Sequence, residues 1–398
     1  MNSGFSIGKI FGINIRIDWS WLLILALISW SLSVSFAQLH PSWNIITSIW
    51  LAIVAAVLFF ASVLLHEVAH SVVARSRGIP VRNITLFLFG GVSNIQREPA
   101  SPLGELLITV VGPLTSIILG VVFLVAGAVS VYASGLTLNV TAQAISRIGL
   151  VSTLFIWLGF VNILVGFFNL IPGFPLDGGR ILRSLLWAAT DNMRKATRWA
   201  SGVGEAVAWL FILMGIGMIF GLSIPLLGGG LVNGLWFILI GWFLYNAAVQ
   251  SYRQTVVQDL LQDIPVSRMM QTNVPSVPYD LPVDAFVNNH IMTSDDEAFL
   301  VMNDGDLMGL VTLDDVRKLP KEERSHTLVR DIMVPSNKLL VIAPTEDAAE
   351  GLARLRSEDV RQLPVVSNGS VIGILRRQDI LRWLQLQSEL NKDGKGRI

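Results

Sequence analysis

Five stretches of this chain contain no Asp, Glu, Lys or Arg: about 19–39, 44–66, 106–135, 148–172 and 206–250. A helix needs about 20 such residues to cross the hydrocarbon of a bilayer. The last stretch is long enough for two helices, with a turn at Ser223-Ile224-Pro225 through Gly228-Gly229-Gly230. The chain is therefore expected to be a polytopic α-helical membrane protein of about six transmembrane helices, because backbone in contact with lipid must satisfy its own polar groups. Composition agrees: 52% hydrophobic, 15% charged and a mean hydropathy of +0.60 are too apolar for a soluble protein of 398 residues. The first stretch is long and lacks a small-residue cleavage pattern, so the N-terminus is expected to stay attached. Just before it, Ile13-Asn14-Ile15-Arg16-Ile17 alternates like a short strand.

Charge orients the spans. Of the 13 Lys and Arg before residue 254, 12 fall on one side of a six-span arrangement and only Arg147 on the other. Both termini are thus expected in the cytoplasm, with the chain multi-pass in a cell membrane. Residues 1–253 carry 13 basic and 7 acidic side chains, whereas 254–398 carry 16 and 22. The second part reads as a soluble domain, and no nucleic-acid partner is expected. The chain has no cysteine, so any metal must be held by nitrogen and oxygen.

The soluble part repeats itself. Val266-Ser267-Arg268-Met269-Met270 returns as Val329-Arg330-Asp331-Ile332-Met333, 63 residues on, and the stretch from Gly309 to Val316 returns 64 residues on as Gly373 to Ile380. Each unit reads as helix, strand, strand, helix, with strands such as Ala298 to Met302 and Leu363 to Val366, and with Thr312 or Arg376 opening the closing helix. The pattern resembles a tandem pair of cystathionine-β-synthase (CBS) domains, which implies an α/β fold, with 254–263 as a linker and repeats at 264–320 and 327–388. Such pairs often bind an adenine nucleotide, regulate an attached protein and associate as dimers. The resemblance implies a homodimer through this part and places ribose and phosphate contacts on Thr312 and Asp315. The second repeat has Arg376 where the hydroxyl would be, so at most one site of that type is supported. A dimerisation or folding module without a ligand is the alternative.

The second apolar stretch ends in His66-Glu67-Val68-Ala69-His70. On a helix, residues four apart share a face, so both imidazoles reach one metal while Glu67 stands one step aside to act on a bound water. Catalytic zinc takes three protein ligands. Asp18, Glu98, Glu105, Glu205 and Asp177 are the acidic residues in or near the spans, and Asp177 is the strongest. It ends Asn169-Leu170-Ile171-Pro172-Gly173-Phe174-Pro175-Leu176-Asp177, where two prolines and a glycine break the fourth span near its cytoplasmic end. Broken backbone at that depth is tolerated inside protein or beside water. The alternative makes Asp177 the N-cap of a helix starting at Gly178 or Gly179.

HEVAH, FLFGG at 87–91 and NLIPGFPLDGGR at 169–180 together resemble the site-2 protease family of intramembrane zinc metalloproteases, across essentially all of residues 1–253. The resemblance implies one Zn2+ on His66, His70 and Asp177, Glu67 as the catalytic base, and transmembrane proteins as substrates. It is to the prokaryotic subgroup without a PDZ domain, for which the third and fourth spans leave no room. Asn169 would contact substrate or oxyanion, with helix–helix hydrogen bonding as its alternative. A transmembrane substrate must unwind before attack, and Phe87 to Asn94 is expected to offer it a strand, with Gly90, Gly91 and Asn94 as contacts; a supporting hairpin is the alternative. Gly112-Pro113 reads as a kink without chemistry. The competing function is a CBS-gated metal transporter or channel, which the scarcity of other ionisable residues in the spans disfavours.

Overall fold

The computed structural model describes residues 4–88, 90–95, 99–135, 148–224, 228–294, 296–358 and 360–393. Phe89, Glu98, Arg147 and Pro225 of the readings above lie outside them. The chain divides into two compact units, Met1–Thr255 and Val256–Ile398.

In the first unit, β1 (Gly4–Ile10) and β2 (Ile13–Asp18) form an antiparallel hairpin about Phe11-Gly12. Alternation in β2 buries Ile13, Ile15 and Ile17. β2 runs straight into α1 (Trp19–Leu39), whose N-terminus Asp18 caps by accepting from the Ser20 amide at 2.9 Å and the Ser20 hydroxyl at 2.6 Å. α2 (Ile45–Ser76) leads to β3 (Val81–Phe87), which pairs parallel to β2, and β4 (Gly90–Ile95) pairs antiparallel to β3. The parallel pairing needs a long crossover, and α1 with α2 supplies it. The sheet order is β1-β2-β3-β4, so β4 is an edge strand among the described residues. Ile13, Ile15 and Ile84 pack on Val68 and Leu64, so the sheet lies against the turn of α2 that carries HEVAH.

α2 continues ten residues past the uncharged run. The run marks where the helix lacks charge, not where its hydrogen bonds end, and Glu67 and Arg75 ride on its last turns. α3 (Pro102–Ala133) starts with Ser101 accepting from the Gly104 amide at 3.2 Å and Pro102 in its first turn, and it carries Pro113 inside. α4 (Leu150–Asn169) ends where expected, and turns over 170–176 lead into α5 (Asp177–Thr190), α6 (Met193–Ile219) and α7 (Leu231–Leu261). Phe174, 5% exposed, packs with Leu182 of α5, Ala200 of α6 and Ala248 of α7, which pins the break in place. Among the described residues, six helices, α1 to α4 with α6 and α7, are long and apolar enough to cross a membrane. The protein is a membrane protein. Residues 254–261, the start of the expected linker, are the last turns of α7.

The second unit contains β5 (Ser276–Pro278), α8 (Val283–Phe286), β6 (Ala298–Asn303), β7 (Asp306–Thr312), α9 (Leu313–Arg317), α10 (Val329–Ile332) and β8 (Val334–Pro335). α11 (Ala348–Ser357), β9 (Gln362–Ser367), β10 (Ser370–Arg376) and α12 (Arg377–Asp393) follow. The sheets are β5-β6-β7-β8 and β9-β10. Both central hairpins turn on two residues of positive φ, Asp304-Gly305 and Asn368-Gly369, as such loops demand. The leading segments are exchanged between repeats. Val266 and Met269 are buried with Ile342, Leu363 and Leu375 of the second repeat, while Val329 is buried with Val277, Phe299 and Val311 of the first. Backbone bonds between residues as distant as Gln271 and Ile374, 2.9 Å, hold the exchange. A repeat in sequence sets length and phase; it does not say which sheet each copy joins.

Candidate metal centre

His66 and His70 lie one turn apart on α2, 6% and 7% exposed. Their Nε2 atoms are 3.2 Å apart, and Asp177 Oδ2 lies 3.1 Å from the first and 3.2 Å from the second. Asp177 is the first residue of α5, and the N-cap position, Leu176, makes no side-chain cap bond. The carboxylate is directed at the imidazoles instead of at its own helix end. The Nδ1 of His70 is 2.7 Å from the Ile108 carbonyl, which only accepts, so Nδ1 carries a hydrogen and the neutral ring keeps its Nε2 lone pair for the site. His66 Nδ1 is paired with Ser116 Oγ at 2.9 Å. Both outer partners are on α3.

These residues fit a metal ion. The Nε2 of neutral His70 and the Asp177 oxygen are both acceptors, and a cation shared between them makes their 3.2 Å approach favourable. Zinc bonds of about 2.0–2.1 Å in a tetrahedral set separate the ligand atoms by about 3.3 Å, close to the three separations found. Two nitrogens and one carboxylate oxygen match zinc's preferences in a cysteine-free chain.

Two further features of α3 shape the centre. A Cβ on Gly112 would stand 2.1 Å from His70 Nε2 and 2.8 Å from His66 Nε2, so only glycine leaves room for both rings. What reads in sequence as a kink beside Pro113 is the wall of the centre. Near the start of α3, Glu105 accepts from Arg183 Nε of α5 at 2.7 Å, with side chains 2% and 3% exposed. The Arg183 guanidinium also lies over the Phe174 ring, 5.4 Å from its centroid. α3 thus holds both imidazoles at their outer nitrogens and holds the helix that carries Asp177.

Glu67, beside the ligands, faces a cavity of about 450 Å³. β4 residues, His70, Asp177, Arg180 and the end of α7 at Gln254 and Thr255 also line it. Glu67 Oε2 accepts from Ser93 Oγ of β4 at 2.6 Å. Gly91 lines this cavity, while Gly90, Asn94 and Asn169 do not. Asn94 is exposed and its Nδ2 donates to Asn83 Oδ1 at 3.3 Å; Asn169 donates to the Val165 carbonyl of its own helix at 3.0 Å.

In the second unit Thr312 and Asp315 meet each other. The Thr312 hydroxyl donates to Asp315 Oδ2 at 2.7 Å, and the two form a capping box at the start of α9. Lys318 donates to Asp315 Oδ1 at 2.9 Å, which raises the lysine's pKa. At the equivalent place in the second repeat, Arg376 grips Asp379 through two bonds of 2.8 and 2.9 Å and lies 3.6 Å from Asp296.

Comparison with known proteins places the chain. Residues 54–214 match the model of peptidase family M50, and 266–322 and 329–386 each match the CBS domain. A provisionally named zinc metalloprotease of Synechocystis sp. is 32% identical over 388 residues, 97% of this chain and 96% of that one. A zinc metalloprotease of Methanocaldococcus jannaschii is 30% identical over 393 residues, 98% of this chain and 99% of that one. The solved site-2 protease from the same archaeon matches at 29% identity with a TM-score of 0.40, over 63% of this chain and 95% of that one. The chain therefore belongs to peptidase family M50, the site-2 protease family, as a membrane metalloprotease with a C-terminal CBS pair.

Proposed function

We propose that the chain is an intramembrane zinc endopeptidase that hydrolyses peptide bonds within transmembrane segments of membrane-protein substrates. The observation that carries this reading is the position of His66, His70 and Glu67 on a 32-residue helix fit to cross a membrane, with Asp177 brought to them by the break after another such helix. Zinc on His66, His70 and Asp177 supplies Lewis acidity, which lowers the pKa of water to about 7 and polarises a carbonyl. Glu67 takes the proton of the attacking water and returns it to the leaving amine.

A helical substrate hides its carbonyls in its own hydrogen bonds, so it presents a scissile bond only when unwound. The edge strand β4 offers the unwound segment a partner by strand addition, with Gly90 and Gly91 giving close backbone approach and Asn94 and Asn169 as further contacts. The basic residues on one side of the spans support cytoplasmic termini in a cell membrane. The CBS pair is read as a regulatory homodimerising module, in which an adenine nucleotide takes over Thr312 and Asp315 from the capping box.

The test compares membranes carrying the wild type with membranes carrying Glu67→Gln, by proteomics for transmembrane fragments and by zinc analysis. Cleavage is expected to fall by about 10²–10⁴ while zinc stays at one per chain. A variant that still cuts overturns the reading, and one that cuts nothing yet still moves metal across a vesicle membrane marks a transporter.

A further inference from the structure

The Glu67 side chain is held from outside its own helix. A Cβ on Gly91 would stand 2.5 Å from Glu67 Cγ, so the backbone of β4 lies directly on the glutamate stem. Ser93 is two residues along and hence on the same face of the strand. Its hydroxyl sits 2.6 Å from Glu67 Oε2 and 3.3 Å from the Glu67 carbonyl. Ser71, fully buried one turn further along α2, donates to Ser93 Oγ at 3.1 Å. A hydroxyl has one hydrogen, and with Ser71 donating to its oxygen the Ser93 hydrogen goes to the shorter contact, the carboxylate.

We propose that Ser93 is a positioning residue for the general base, and that β4 sets the Glu67 rotamer as well as offering an edge to substrate. The inference rests on the proposed protease reading. A glutamate side chain has three rotatable bonds, and burial against Gly91 with one oxygen bound by Ser93 removes most of that freedom. With Oε2 fixed by Ser93, the plane of the carboxylate is set, and Oε1 is placed along with it. A substrate strand added to β4 is then in register with the base, because both are referred to the same strand. The chain Ser71–Ser93–Glu67 joins the metal-bearing helix to that strand.

The test has two arms, both on the full chain. The first reads placement without activity. The chain has no cysteine, so Ser71→Cys with Ser93→Cys is expected to form one disulfide on mild oxidation, seen as two fragments staying joined after proteolysis between the two positions; failure to cross-link overturns the placement. The second arm uses zinc-loaded protein and a single-span reporter with a helix-breaking Asn-Pro pair, with Glu67→Gln as the control for the protease reading itself. Ser93→Ala is expected to lower kcat by about tenfold to a hundredfold, with KM within about twofold and zinc at one per chain, and Ser93→Thr to recover most of the loss. An unchanged kcat overturns the proposal, as does a loss that follows KM or zinc content. If wild type and Glu67→Gln are equally inert towards the reporter, the protease reading fails, while the disulfide still reports whether β4 lies against α2 with Ser93 beside Ser71.

Discussion

The metal centre and the Thr312–Asp315 pair are both short-range clusters of polar side chains, and they spend their hydrogen bonds in opposite ways. In the centre, the outer nitrogens of His66 and His70 are taken by α3, while the inner nitrogens and Asp177 Oδ2 are brought within 3.1–3.2 Å of one another. Gly112, whose Cβ would meet both inner nitrogens, contributes no side chain at all. In the second unit, Thr312 and Asp315 satisfy each other and the first turn of α9, and Lys318 takes a remaining oxygen. One cluster is held in a state that favours a cation. The other is complete as a helix cap, and a ligand there must first displace what it already makes. Residue types alone do not separate the two cases; the partners of each lone pair do.

The largest effect is expected where that difference is most exposed, at Gly112. Valine there cannot share space with His70 Nε2 at 2.1 Å, and close-packed surroundings on α3 do not give by that much. Zinc analysis of purified Gly112→Val is expected to fall from one ion per chain to about a tenth or less, with cleavage lost in parallel. A full complement of zinc in this variant would break the comparison, since the centre would then not depend on the absence of a side chain. A smaller effect is expected at Ser116, which holds the outer nitrogen of His66 at 2.9 Å. Partners of this kind orient a ligand and are worth about 10–100-fold in metal affinity. Competition with a chromophoric chelator is therefore expected to show Ser116→Ala binding zinc more weakly by that factor, and equal affinity would show that α3 does not orient the ring.

Much of the centre could be read from the chain because its elements are local. His66 and His70 are one helical turn apart, and the prolines before Asp177 stand out in an apolar segment. The six spans and both CBS repeats were legible for the same reason, through run length and period. The residues that refine the centre were not. Ser116 meets His66 across 50 positions, Ile108 meets His70 across 38, Ser93 meets Glu67 across 26, and Arg183 meets Glu105 across 78. Apolar periodicity says which face is buried, not which residue lies opposite. Gly112 shows the limit well: next to Pro113 a glycine signals a bend, and only the packing of α3 on α2 turns it into a wall. The signal for Ser93 was present as its two-residue spacing from Gly91, yet it needed the site of contact with α2 to acquire meaning. β1 escapes a sequence reading because the alternation of Phe5 and Ile7 with Ser6 and Gly8 is short, breaks at a register shift between Ser6 and Gly8, and marks no buried face.

The smallest effect belongs to the other cluster. If Thr312 is first of all a helix cap, then Thr312→Ala removes a satisfied bond and costs about 1 kcal/mol whether or not a nucleotide ever binds. For a unit of this size that lowers an unfolding midpoint by about 2–6 °C, measurable by calorimetry of the full chain in detergent as a shift confined to the CBS transition. Thr312→Ser keeps the hydroxyl and is expected to stay near wild type. Titrating the wild type with AMP or ATP then sharpens the contrast with the metal centre. A nucleotide that uses Thr312 must break its 2.7 Å bond to Asp315, so the binding energy observed is what remains after that loss, and its stabilisation of the unit should shrink in the alanine variant. If Thr312→Ala leaves the transition unmoved without ligand, the hydroxyl is not spent on the helix, and the two clusters are alike in holding polar groups ready for something else.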